Sequence, residues 1–146
     1  METLFYFLIF ACAGVALEVV RNSGAALRKK NPRLTGYSTL WMFPIYGSIL
    51  FIVMLVQYLY ADYPWWFRGC MYAGLILIWE YTSGYTIKKI VGIAPWNYAE
   101  KTADGIGSPK QFHLHGLVCA EYIPLWFIGG LVAETLYLFL EAHVVF

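Results

Sequence analysis

The chain has 146 residues, of which 60% are hydrophobic, 19% aromatic and only 13% charged. Ordinary globular proteins carry about 25% charged residues, so a soluble domain of this size would lack a charged surface. The net charge of +1 provides no bulk attraction to nucleic acid. The composition therefore predicts a single all-α integral membrane domain over residues 1–146. Its expected partners are membrane lipids, and no nucleic-acid partner is expected.

Four stretches are apolar enough to form transmembrane helices, which need about 20 predominantly apolar residues. They cover roughly residues 3–20, 41–61, 67–87 and 114–140. The last stretch is longer than a membrane requires, so we expect tilt, a kink at Pro124 or an extension into the interface. The predicted fold is a bundle of four transmembrane helices.

The basic residues indicate the orientation of this bundle. Nine of the ten lie in the segments that follow the first and third spans, and only Arg68 lies near the other side. Cytoplasmic loops are enriched in Lys and Arg, so we expect two long cytoplasmic loops and both termini outside. The expected location is the plasma membrane, which in a bacterium is the inner membrane. The nine residues are Arg21, Arg28, Lys29, Lys30, Arg33, Lys88, Lys89, Lys101 and Lys110.

Four glutamates lie within the predicted spans, where an ionised group costs at least ~2.5–3.5 kcal/mol at the bilayer centre. Glu18, Glu80 and Glu121 share the cytoplasmic half of the membrane, with Glu121 about two turns into the fourth span. Glu134 belongs to the outer half. Each of these carboxyl groups must be near an interface, paired, hydrogen-bonded or protonated.

For Glu18, the simplest interpretation is an ion pair with Arg21, which lies three residues further along the same helix face. Glu80 is too far from any lysine for such a local pair. A structural polar contact and a functional site are equally compatible with Glu80 and with Glu121, whereas a structural or interfacial role is favoured for Glu134. Candidate hydrogen-bond donors to Glu80 are Trp79, Tyr81, Tyr85 and the hydroxyl of Tyr46.

The loop over about residues 91–112 is long for so small a protein, and long loops tend to be functional or disordered. Its segment Pro95-Trp96-Asn97-Tyr98 is too aromatic for a flexible linker and is expected to fold back onto the helix ends. The residues from Asp104 to Pro109 have turn chemistry and are expected to be the mobile part.

A metal site is conceivable at His113, His115 and Cys119, but the pattern is weak. On a helix, His115 and Cys119 share one face and His113 does not. Metal and nucleotide motifs such as CxxC, HExxH and the P-loop do not occur. We therefore predict no metal and no cofactor.

Four separated blocks of sequence resemble one family of small membrane proteins. They are Gly36-Tyr37-Ser38-Thr39-Leu40-Trp41 with Pro44-Ile45-Tyr46-Gly47, Trp79-Glu80-Tyr81-Thr82-Ser83-Gly84, Pro95-Trp96-Asn97-Tyr98, and Gly116 through Glu121-Tyr122 with Pro124-Leu125-Trp126-Phe127 and Gly129. In this order they are similar to the transmembrane protein 229 family and its bacterial relatives, which are labelled type IV ABC-transporter membrane proteins.

The resemblance implies a four-helix membrane protein. Glu18 and Glu134 fall where the family has acids. Asn97 stands where the family usually has Asp, so a fixed negative charge at that position is not expected here.

These observations predict a polar pocket in the cytoplasmic half of the membrane. Its function would be binding or transport of a small solute, ion or lipid, by a homo-oligomer or by one subunit of a larger membrane complex. Two alternatives stay open: an intramembrane enzyme for a lipid or isoprenoid, with Glu80 or Glu121 as general acid or base, and a non-catalytic structural subunit. The expected ligand-binding residues are Glu18, Arg21, Trp41, Tyr46, Trp79, Glu80, Trp96, Asn97, Tyr98 and Glu121.

Overall fold

The structure, a computed structural model, describes residues 1–28, 33–100 and 109–144, with the side chains of residues 25–28 left out. Its four long helices are α1 (Glu2–Arg28), α2 (Met42–Tyr60), α3 (Trp65–Val91) and α4 (Ile123–His143). The predictions for Lys29, Lys30, Lys101 and the turn residues 104–108 lie outside the described residues.

A short antiparallel hairpin and a 3-10 turn connect the long loop to α4. The hairpin pairs β1 (His113–Leu114) with β2 (Val118–Cys119), and the 3-10 turn covers Ala120–Tyr122. The two residues between the strands with positive φ are His115 (54°) and Gly116 (72°). This backbone conformation is incompatible with a continuous helix.

The prediction that the fourth span begins near Leu114 is therefore wrong. The helix begins at Ile123, and Pro124 lies in its first turn, where the missing N–H of proline has no helical partner to lose. Pro124 thus lies in the first turn of α4 and does not kink the helix. Glu121 consequently precedes α4 and does not lie two turns inside it.

Within the described residues, three segments are long and apolar enough to cross a membrane: Glu2–Gly24, Met42–Tyr60 and Ala120–His143. The 27-residue α3 is not among them. At about 1.5 Å per residue it is about 40 Å long, which exceeds the ~30 Å hydrocarbon core of a bilayer. The mostly helical, apolar architecture is confirmed, and a fourth span remains a prediction.

The helices pack closely in pairs, α1 on α2 and α3 on α4. Glycines allow the two helices of each pair to come this close, because a Cβ atom on Gly14 would overlap Tyr46, and one on Gly130 would overlap Tyr72. Small residues commonly allow such close packing of membrane helices. By contrast, α1 and α4 touch only sparsely. An open groove therefore separates these two helices along the bundle.

A buried ion pair joins α3 and α4 near the end of the bundle that carries the short turn between α2 and α3. Glu134 is 5% exposed and lies 2.7 Å from Nη2 of Arg68. Nε of Arg68 donates to both carboxylate oxygens at 3.1 and 3.0 Å, and Nη1 donates to the carbonyls of Ala61 and Tyr63. These contacts agree with the structural role expected for Glu134.

Candidate functional site

Glu80 is the buried centre of a polar site at the opposite end of the bundle. It lies on α3 with 7% of its surface exposed. Oη of Tyr98 donates a hydrogen bond to Oε1 at 2.5 Å, and Nε1 of Trp126 donates to Oε2 at 3.2 Å. Both carboxyl oxygens therefore have a donor, one from the long loop and one from α4.

The donors proposed from the sequence for Glu80 were wrong. Within the described part of the chain, none of Trp79, Tyr46 and Tyr85 donates to this carboxyl group. The hydroxyl of Tyr81 instead lies 3.0 Å from Nδ1 of His115. The actual partners are 18 and 46 residues away along the chain. They reach Glu80 only through the packing of the loop and α4.

The aromatic part of the loop folds back onto the helix ends, as predicted. Nε1 of Trp96 donates to the carbonyl of Leu117 at 2.8 Å, and the indole packs against Gly84 of α3. The backbone N–H of Tyr98 donates to the carbonyl of Gly116 at 2.8 Å. The loop and the hairpin thus hold each other in place.

This arrangement keeps Tyr98 in its neutral form. Burial, and then the neighbouring Glu80 carboxyl, raise the pKa of Tyr98 far above its ordinary value. The phenol therefore remains protonated at physiological pH and acts as a hydrogen-bond donor. A buried donor of this kind fixes the position of the Glu80 carboxyl.

A small cavity of about 30 Å³ lies beside Glu80. This is space for roughly two water molecules, and far less than the ~300–1,000 Å³ of typical ligand pockets. Six predicted site residues line it: Arg21, Tyr46, Trp79, Glu80, Trp96 and Tyr98. Trp126 also lines it and was missed, although a buried indole usually needs a hydrogen-bond acceptor.

The cavity adjoins the groove between α1 and α4, which has a volume of about 370 Å³. The groove is lined mainly by apolar residues such as Phe10, Leu17, Leu125, Val132 and Leu136. Five residues line both spaces: Arg21, Tyr46, Ile49, Ile76 and Trp126. A polar cavity and an apolar groove therefore share one wall.

Glu18 and Arg21 lie at the polar end of the groove, but the ion pair predicted between them is wrong. Oγ of Ser38 donates to Glu18 at 2.6 Å. The guanidinium carbon of Arg21 lies 5.3 Å from the ring centre of Tyr122. The segment that follows α1 thus provides the donor for Glu18, while Arg21 reaches across to the start of α4.

Three predicted site residues lie away from both spaces. Trp41 is exposed directly before α2. Asn97 is exposed, and its Oδ1 accepts a hydrogen bond from the backbone N–H of Ala99 at 3.0 Å. Glu121 is exposed and forms an ion pair of 2.7 Å with Lys110.

The hairpin changes the geometry of the histidines and cysteine considered as metal ligands. His113 is directly opposite Cys119 across the two strands, so the expectation that His115 and Cys119 share a helix face is wrong. Among the residues that the structure describes, no group of three or more His, Cys, Asp or Glu side chains is placed to hold a metal ion.

The fold and the site define a helical integral membrane protein in which a buried glutamate lies next to an apolar groove between two helices. The sequence model of the family described as "Putative ABC-transporter type IV" matches residues 5–145. The chain belongs to this family, as its four sequence blocks indicated. No solved structure matches the chain.

Proposed function

We propose that the chain binds a lipid-like amphiphile in the groove between α1 and α4, with the polar group of the ligand at the end near Glu80. One observation carries this proposal: the apolar groove and the polar cavity share five lining residues. The groove volume of about 370 Å³ lies within the range of small-molecule sites. An apolar tail and a polar group could therefore be bound together.

A lipid-like ligand fits this site better than a hydrophilic solute or an ion. A polar solute in the groove would lose its hydration without gaining hydrogen bonds from the apolar walls, which costs free energy. The cavity beside Glu80 is too small to hold such a solute by itself. Family membership supports a transport-associated membrane protein, and we propose that it acts as a homo-oligomer or as a subunit of a larger complex.

We further propose that all four helices span the plasma membrane, with both termini outside and the Glu80 site on the cytoplasmic side. The polar residues of α3 support a fourth span, because Arg68 and Glu80 are hydrogen-bonded inside the protein while Ile78 is 61% exposed. The basic residues Lys88 and Lys110 lie at the Glu80 end, as the positive-inside rule requires.

Cysteine labelling in intact cells tests this orientation. In a background without the three native cysteines, Glu2→Cys should react with a membrane-impermeant maleimide, and Glu100→Cys should react only after permeabilisation. The opposite pattern contradicts the proposed orientation, and labelling of Glu2→Cys and Asp62→Cys from different sides contradicts the path of the first two spans.

Native mass spectrometry of the detergent-released protein tests the proposed ligand. Gly129 lines the groove, and a Cβ atom there would meet only one side-chain atom within 4 Å, at 3.9 Å. Gly129→Leu should therefore fill the groove and reduce the retained amphiphile. The matched control is Gly74→Leu on α3, where, apart from the neighbouring backbone of the helix itself, no atom of the described residues lies within 4 Å of a Cβ. Equal retention by both variants would overturn the proposal.

Glu80→Gln separates binding from the two alternative functions. A binding or transport protein should lose affinity for the amphiphile because the polar end of the site changes. An intramembrane enzyme should keep the amphiphile and lose turnover. A structural subunit should change only in stability or in recovery of its complex.

A further inference from the structure

Two opposite charges lie one helical turn apart at the polar end of the groove. Glu18 and Arg21 both line it, and their spacing of three residues places them on one face of α1. They form no ion pair with each other; the two ion pairs found among the described residues lie elsewhere in the fold. Both charges therefore face the groove without neutralising one another.

Arg21 has unused hydrogen-bonding capacity. Its side chain carries five N–H donors, and among the described residues none of them forms a hydrogen bond or an ion pair, while the guanidinium carbon lies 5.3 Å from the centre of the Tyr122 ring. A contact with an aromatic ring gives none of these N–H groups an oxygen acceptor, so they stay available to a ligand. A planar guanidinium donates two parallel hydrogen bonds to a phosphate particularly well. Arg21 is thus suited to a phosphate at the mouth of the groove.

Glu18 has unused capacity of the opposite kind. An ionised carboxylate offers about four acceptor positions, and Ser38 occupies one of them at 2.6 Å. Because Glu18 is half-buried, a cationic donor at this site would gain more than one on an open surface. A primary ammonium can donate up to three N–H groups to such an acceptor.

We propose that this end of the groove binds the head group of a phospholipid with a phosphate and a primary ammonium, the phosphate on Arg21 and the ammonium on Glu18. The inference rests on the proposed function and names the chemical class of its ligand. A quaternary ammonium has no N–H to donate to Glu18. An anionic head group without an ammonium could offer only neutral hydroxyl donors to Glu18 and would bring a net negative charge close to this carboxylate with no cation to balance it.

The test compares three phospholipids that differ only in the head group. Purified protein is mixed with equal amounts of dioleoyl phosphatidylethanolamine, phosphatidylcholine and phosphatidylglycerol, and the bound lipid is identified by native mass spectrometry. Phosphatidylethanolamine should be retained about tenfold better than phosphatidylcholine, the factor that one charge-assisted hydrogen bond supplies. Equal retention, or preference for either other lipid, would overturn the inference.

Charge variants separate the two contacts. Glu18→Gln should lower the preference for phosphatidylethanolamine over phosphatidylcholine to within about twofold, because a neutral amide loses the charge-assisted bond. Arg21→Gln should weaken all three lipids, since each contains the phosphate. The control is Lys88→Gln, an exposed basic residue of α3 outside the groove. If Glu18→Gln fails to fold, the preference of the unmodified chain decides the question.

The groove-filling variant separates failure of this inference from failure of the proposed function. If the three lipids bind equally and Gly129→Leu removes all of them, the groove binds lipid tails and the head-group assignment is wrong. If Gly129→Leu retains every lipid, the proposed function is wrong as well.

Discussion

The hydrogen bond from Tyr98 to Glu80 provides a quantitative test of how the site is assembled. Tyr98→Phe removes one oxygen atom and leaves Oε1 of Glu80 buried without its 2.5 Å donor. A hydrogen bond to a charged group contributes about 1.5–3 kcal/mol, and one between neutral groups about 0.5–1.5 kcal/mol. Because this bond is short and its acceptor is buried, we expect Tyr98→Phe to lower the free energy of unfolding by about 2 kcal/mol.

A double-mutant cycle with Glu80→Met isolates this contact. Methionine offers no comparable acceptor, so the Tyr98 hydroxyl in that background is a buried donor without its partner. Removing it should then cost less than about 0.5 kcal/mol and could stabilise the protein, because an unsatisfied buried group is lost. The expected coupling energy between the two positions is therefore about 2 kcal/mol, which is large for a neighbouring pair.

The measurement is reversible unfolding in mixed detergent micelles, followed by circular dichroism. The matched control is Tyr58→Phe on α2, whose side chain is 86% exposed, and for which we expect a change within about 0.5 kcal/mol. If Tyr98→Phe costs no more than this control, or costs the same with and without Glu80, the hydrogen bond does not organise the site.

Two further predictions compare a variant in the packed bundle with a matched control, and both are measured by the same unfolding assay. Glu134→Gln should lower the free energy of unfolding by ~3 kcal/mol, because it leaves the Arg68 charge partly buried without its partner. The control is the exposed ion pair of Lys110 with Glu121. There, Lys110→Gln should lower the free energy of unfolding by less than about 1 kcal/mol. Equal losses in these two variants would refute the assignment of a buried ion pair. Gly14→Ala should lower the free energy of unfolding by ~1–3 kcal/mol, because the added methyl group overlaps Tyr46 of α2. Gly74→Ala is the control and should not destabilise the protein. Similar losses in the two variants would show that α1 and α2 are not closely packed.

The positions of two helices could be predicted largely from the apolar runs in the sequence. The second span was predicted over residues 41–61, and α2 covers Met42–Tyr60. This agreement arises because the run is bounded by polar or turn-forming segments and its length matches a bilayer. The first helix was predicted to end near Val20 and continues to Arg28, since helix geometry can extend beyond the apolar part that a membrane requires.

Hydropathy could not locate the start of α4. The segment from Leu114 onward is as apolar as a membrane helix, yet a reversal at His115 and Gly116 turns it into a hairpin. Backbone angles of this kind depend on contacts made by distant residues, here the carbonyl of Gly116 with the N–H of Tyr98. The position of Glu121 was wrong for the same reason.

The composition of the site was partly visible in the sequence. A glutamate in an apolar run requires partners, so Glu80 could be identified from the cost of burial alone. The identity of its donors could not, because Tyr98 and Trp126 approach it from separate elements. Likewise, the groove depends on the sparse contact between α1 and α4, which no local sequence pattern predicts.

Photo-crosslinking with a phospholipid that carries a diazirine in its acyl chain tests the central proposal most directly. The proposal predicts that peptide mapping finds adducts concentrated on the groove walls, at Leu17, Val132 and Leu136, and that Gly129→Leu abolishes them. Adducts distributed evenly over outward residues such as Phe51 and Ile78, and unchanged in the variant, would show that the groove holds no lipid tail.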